Sequence, residues 1–243
     1  MRVRIAVTVL ALAAGCGTGG TPALSSTPAS SSATASSSPA AQKTDALPLW
    51  PFSNRQEARN WQESYRQGGH SPWHVDAAFT AVAFTQGFLG FTELDQAVKT
   101  DIRGEDALVQ VGFSPQEGET PQVAATVHLI KYGSGPNTPW EVVGAEGSGI
   151  AVTTPEYGTA AHSPAMVSGT LTGATGNVQI RFLQPGSEKP LAESQAIPVA
   201  GAWQTTVPFT AKTDQVITVV AATGGHVADV ERFAVTAVTP GTR

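Results

Sequence analysis

Runs of apolar residues, helical spacing and two-residue alternation divide the chain into four blocks. Val3 to Gly15 is an uninterrupted apolar run behind Arg2 and Arg4. Gly17 to Asp45 is nearly all Ser, Thr, Ala, Pro and Gly, with Leu24 as its one large apolar side chain. Such a stretch cannot bury enough surface to offset its chain entropy, so the pattern predicts a disordered tether over 16–45. Apolar density returns at Leu49, Trp50, Pro51 and Phe52. Ser53 stands three residues before Gln56, a capping-box spacing, and Ala58, Trp61 and Tyr65 then recur on one helical face until Gly68 and Gly69 end it. Asp76 is a good N-cap for a second helix, whose apolar surface is read as Phe79, Val82, Ala83, Phe84 and Phe88.

The period then changes from helical to two. Ala107, Val109, Val111 and Phe113 alternate with Leu108, Gln110 and Gly112, and Val123, Ala125, Val127 and Leu129 share one face of a longer strand. Trp140 to Ala145 is another strand, and Ile150 to Val152 a last short one. Helices followed by an antiparallel meander predict an α+β unit over 46–157, with the helices on one sheet face. Thr153 to Gly158 reads as a joint. Beyond it, brief strands alternate with Gly and Pro: Ala165 to Gly169, Val178 to Phe182, Trp203 to Phe209, Val216 to Val220 and Phe233 to Val238. That spacing predicts an all-β sandwich over 158–240.

Composition narrows the function classes. The chain has 243 residues, net charge −5 and only 14% charged residues. It has no basic cluster of the kind that phosphate backbones need, which argues against nucleic acid as a partner. One cysteine excludes an internal disulfide framework, so hydrophobic cores alone hold the fold.

The apolar start is too short for a membrane span, which takes about 20 residues, and has the length and flanks of an export signal. Ala13, Ala14, Gly15 and Cys16 resemble the lipobox of bacterial lipoproteins. That resemblance implies cleavage of a 1–15 signal peptide, lipidation of Cys16, and attachment to the outer face of the cytoplasmic membrane. Two or three acyl chains hold firmly where one holds only marginally. A plain secretory signal with an incidental cysteine is the competing reading.

The layout from Ala81 to Phe84, through Val123 to Leu129, to Pro139 to Ala145 resembles the cone-shaped, cystatin-like α+β fold of the nuclear-transport-factor-two-like superfamily, as it recurs in actinobacterial lipoproteins. That superfamily holds enzymes, ligand binders and structural modules, so the resemblance does not supply a function. Ser163 to Gly169, the Val178 to Phe182 strand, Gly201 to Trp203 with Val207 to Phe209, and Phe233 to Val238 resemble the immunoglobulin-like domain of bacterial spore-germination proteins.

Local chemistry is sparse. His70 and His74 are four apart, a metal-ligand spacing on a helix, but Pro72 between them disfavours a shared helical face. The competing reading is a loop with Trp73 packed in the core. His128 falls on the strand face opposite Val127 and Leu129, either lining a cavity or lying on the sheet surface. His162 and His226 fall in turn-rich segments without a motif. Asp76, Glu93, Asp95, Asp101, Glu105 and Asp106 are a carboxylate-rich region, read as a solvated acidic surface or as a source of acid–base pairs. Trp50, Trp61, Trp73 and Trp140 form either the first core or a carbohydrate-stacking platform. No phosphate-loop, nucleophile-elbow, zinc-protease or calcium-loop pattern occurs.

These readings assign no catalytic residue, cofactor or metal. They imply a non-catalytic binding or structural lipoprotein with an envelope protein, peptidoglycan or polysaccharide as partner, and a possible place among spore-germination proteins. The alternative is a small-ligand receptor or enzyme using a pocket in the α+β unit.

Overall fold

Alternating apolar positions with few helix formers between them produce a chain that is mostly antiparallel β-sheet. The computed structural model describes residues 46–114, 119–224 and 231–241. The expected signal peptide, Cys16, the tether and His226 lie outside the described residues.

Two helices open the described chain. α1 spans Arg55–Arg66, and Asn54 caps it: its side-chain oxygen accepts the Gln56 and Glu57 amides, both at 3.0 Å. The Glu57 carboxylate accepts the Ser53 amide at 2.6 Å. The cap is therefore one residue later than the Ser53–Gln56 spacing suggests, because the reciprocal acceptor is the charged Glu57. α2 spans Ala77–Ala83 and is capped by Asp76, as expected, with the Ala78 and Phe79 amides donating at 2.8 and 3.1 Å. One wide turn, Phe84–Phe88, continues it. Its inner face is Ala77, Thr80, Ala81 and Phe84, whereas Phe79 is 65% exposed. The small residues Ala77, Thr80 and Ala81 let the helix sit close to the sheet, Phe84 at i+7 fills the first core, and Phe79 falls on the far side.

The strands are β1 (Gln96–Arg103), β2 (Asp106–Phe113), β3 (Gln122–Lys131), β4 (Trp140–Gly147), β5 (Ile150–Thr154), β6 (Ala160–Ala161) and β7 (Ala165–Leu171). After them come β8 (Gly176–Leu183), β9 (Ala192–Glu193), β10 (Ile197–Val199), β11 (Ala202–Val207), β12 (Ile217–Ala222) and β13 (Phe233–Pro240). One sheet runs β1-β2-β3-β4-β13-β12-β8-β10, with β6 beside β13 and β9 beside β8. A smaller sheet runs β11-β7-β5. Ile150 to Val152, read from the sequence as the last short strand of the first unit, extends to Thr154 as β5 and pairs with β7 beyond the expected joint.

The described residues fall in one compact unit containing two main cores. The first gathers Phe84, Leu89, Phe91 and Leu94 against Val109, Val127, Leu129 and Val142. The second lies between the small sheet and the β8-β12-β13 part of the large one, with Val167, Leu171 and Trp203 facing Ile180, Phe182 and Val219. This is two sheets closed face to face, the sandwich arrangement. The cores meet at β12 and β13, which are buried on both faces. Ile217, Val219, Ala221, Ala234 and Val238 point to the second core; Val220, Ala222, Phe233, Val235 and Ala237 point to the first. β4 joins this wall at Ala145, opposite Val235.

α1 enters neither core. Its Ala58 packs with Phe52, Ile130, Tyr132 and Val143 in a third cluster. Ile130 and Val143 each sit next to a first-core residue, Leu129 and Val142, and side chains alternate along strands. The two helices thus bury their apolar faces in different clusters.

Because β12 and β13 serve both cores, the cores should unfold together. Phe233→Ala is expected to cost about 3–5 kcal/mol. In urea, fluorine-labelled Trp140 (first core) and Trp203 (second core) should report coincident midpoints in wild type and variant alike.

Candidate functional site

The chain from Leu49 to Phe52 runs beside β4. The Leu49 amide donates to the Val142 carbonyl at 2.9 Å, and the Val142 amide to the Trp50 carbonyl at 2.8 Å. This strap threads an aromatic run. Tyr65 stacks on Trp61 at 5.0 Å, Trp61 and Phe52 both contact His74, Trp73 lies against His74, and Trp50 stacks on Trp73 at 5.2 Å before meeting Phe84. Three of the four expected tryptophans are therefore brought together. Trp140 lies apart in the first core, with the Lys131 ammonium 4.2 Å over its ring.

Two titratable groups whose charged forms burial disfavours lie at this aromatic centre or against it. His74 is buried by its aromatic neighbours, and desolvation pushes its imidazole down to about 4. Glu141 is fully buried, and burial holds its carboxyl well above the usual carboxylate range despite backbone hydrogen bonds at Phe52 and Trp50. The Phe52 amide donates to Glu141 Oε2 at 3.1 Å. Glu141 Oε1, His74 Nδ1 and Trp61 Nε1 are buried with no hydrogen-bond partner. Phe52 touches all three residues, through its ring or its backbone. A protonated Glu141 is a neutral acid whose Oε2 fastens the strap.

Beside this centre, α1 and the loop after β3 enclose an open groove of about 540 Å³, lined among others by Arg55, Arg59, Arg66, Gly133 and Ser134. Buried Gln62 holds the loop in place, its amide donating to the Ser134 and Pro136 carbonyls at 3.1 and 2.7 Å. Arg55 lies 4.7 Å over the Tyr132 ring, and Arg59 donates to Gln56 Oε1 at 2.7 Å. Arg66 pairs with Glu63 at 2.9 Å. A second, smaller depression lies at Val75, Glu105, Lys131 and Asn137.

The remaining sequence candidates scatter. His70 is exposed while His74 is buried, so the pair does not converge. His128 Nε2 lies 3.7 Å from Asp106 Oδ1, half-exposed and outside the first core. Asp101 pairs with Arg103 at 2.6 Å, Asp76 caps α2, and Glu93, Asp95 and Glu105 are exposed. His162 is exposed. Among the described residues, no group of three or more His, Cys, Asp or Glu is placed to hold a metal, and no helix is long and apolar enough to cross a membrane.

Sequence reasoning passed over Glu141, Gln62 and the arginine groove. The signal for Glu141 was an acid set between Trp140 and Val142 in an otherwise apolar strand. The signal for the groove was Arg55, Arg59 and Arg66 recurring on the polar side of α1.

No protein-family model, curated protein or solved structure matches the chain.

The two buried groups set opposite pH slopes. The fold holds a proton on Glu141 that the unfolded chain releases above its ordinary range near 4.5. Stability therefore falls as pH rises from there, by about 1.4 kcal/mol per pH unit until the folded carboxyl ionises. His74 works the other way: the unfolded imidazole protonates below 6.5 while the folded one resists to about 4, so stability falls as pH drops across that interval. Glu141→Gln, which retains an acceptor for the Phe52 amide, should be more stable than wild type at pH 8 and lose the alkaline slope. Thermal melts across pH would show it, and an unchanged slope would mean that Glu141 is ionised in the fold.

Proposed function

We propose that this chain is an exported lipoprotein, held at the outer face of the cytoplasmic membrane through Cys16, that binds an envelope partner and does not transform a substrate. The first half is read as a cystatin-like α+β module and the second as an immunoglobulin-like sandwich of the spore-germination type. The packing of α2 against β1–β4 and the face-to-face sheets of the second core support that reading.

The observation that carries it is the filling of the first core. On the sheet face where a cone-shaped module would keep a ligand pocket, Phe84, Leu89, Phe91, Leu94 and Phe233 are all buried, and Phe91 stacks on Phe233 at 5.0 Å. Close-packed side chains leave contact to the outside of the molecule. Recognition then falls to surface features on a folded body that a Ser/Thr-rich leash holds near its partners, which raises their effective concentration. The alternative, a small-ligand receptor or enzyme, draws on the unpartnered Glu141 Oε1 and His74 Nδ1 in the separate aromatic centre.

Expression in a lipoprotein-processing bacterium tests the anchor. The wild-type chain should partition with membranes and carry a diacylglyceryl mass increment on an amino-terminal Cys16. Cys16→Ser should be released or retain its leader. An unmodified thiol on a cytosolic chain beginning at Met1 would overturn the proposal. Crosslinking in intact envelopes should enrich a partner over a control bearing residues 16–45 alone.

A further inference from the structure

We infer that the groove between α1 and the Gly133–Ser134 loop binds a linear polyanion, a chain carrying carboxylate or phosphate oxyanions at regular intervals; this deepens the binding role proposed above and rests on it.

Charge is scarce in this protein, and its overall sign is negative. Three arginines nevertheless share one groove wall, separated by α1 spacings of four and seven residues. From Arg55 to Arg66 the helix rises about 16 Å, enough for several repeating units of an extended polymer. The arginines are held in place without being neutralised. Arg55 rests on the Tyr132 ring, and Arg59 is steadied by an uncharged amide oxygen. Among the described residues, neither has a carboxylate at ion-pair distance, while Arg66 is matched by Glu63. The nearby Glu57 carboxylate is engaged at the helix start by the Ser53 amide.

Planar guanidinium groups pre-oriented by an aromatic face and an amide lose little freedom on engaging an oxyanion, and they match carboxylate and phosphate bidentately. The opposite wall is also fixed, because Gln62 ties down the loop carbonyls at Ser134 and Pro136. The groove is open to solvent, not an enclosed cavity, and the arginines are spread along the α1 axis, which suits an extended chain more than an enclosed small molecule.

The test is calorimetric titration of the full chain in detergent with polygalacturonate, linear polyphosphate, neutral dextran and duplex DNA, at low and high salt. One or both of the first two should bind, weakening with salt, and their relative affinity tells carboxylate from phosphate. Arg55→Ala and Arg59→Ala should each weaken binding about tenfold with unchanged melting. Glu63→Gln should strengthen it a few-fold by freeing Arg66. Binding unaffected by the arginine variants, no binding of either polyanion, equal binding of dextran, or DNA bound as tightly as the polyanions would each overturn the inference. Titration in solution does not need the anchor, so a negative result leaves membrane attachment standing. A cytosolic, unlipidated chain would remove the envelope role without touching the groove.

Discussion

The structure depends on two strands that are interior on both faces. β12 and β13 send successive side chains alternately into two cores, so every position along most of their length is apolar or a threonine, and Thr218 Oγ1 is buried there with no hydrogen-bond partner. An ordinary half-buried strand can expose one face to water. Here neither face is available, and a one-residue slip would exchange the two sets, putting Phe233 where Ala234 fits. The register is therefore fixed from both sides. The same constraint makes β4 a continuation of the sandwich sheet instead of the edge of a separate domain. The joint is pinned as well: the Gly158 amide donates to the Ala237 carbonyl at 2.8 Å, and Tyr157 hydrogen-bonds Leu47.

Much of this was readable in the sequence, for a physical reason. Strands with one polar face advertise themselves by alternation, and β2, β3, β8 and β11 were placed that way. β12 and β13 carry near-continuous apolar runs, Val216 to Val220 and Phe233 to Val238, which identify them as strands without revealing that two cores share them. β1 was missed because its burial is slight and irregular: Lys99, Thr100, Ile102 and Arg103 are all exposed. β9 and β10 are too short to establish a period. The α2 face was read in part: Phe84 is buried in the first core and Phe88 packs against it as expected, whereas Phe79 is exposed and the small Ala77, Thr80 and Ala81 are buried.

The candidate site was less legible, because its members come from four places in the chain. The tryptophans were expected to cluster, and Trp50, Trp61 and Trp73 do. What joins them is His74, which was considered as a metal ligand and is instead an aromatic spacer, stripped of its charge by its neighbours. Glu141 could be seen as an oddity of its strand, but its role needs Phe52, 89 residues away, to approach it. No local pattern encodes that approach. The arginine spacing on α1 was present from the start, and its meaning came only with the loop that Gln62 draws alongside.

The division of labour between these elements follows from where mutation is tolerated. A substitution in β12 or β13 disturbs two cores at once, so those strands have little latitude for change. α1 is attached differently, through Ala58, the aromatic run and two side-chain hydrogen bonds from Gln62 to a loop. Its outward face takes no part in either main core, and changes at Arg55, Arg59 or Arg66 disturb little buried surface. A binding surface placed there is separated from the folding constraint, whereas one built into the first core would compete with Phe84 and Phe233 for the space that holds the molecule together. The arrangement favours recognition on the outer surface of α1 for the same reason that it forbids a slip in β13: the interior is already committed on both sides of the wall.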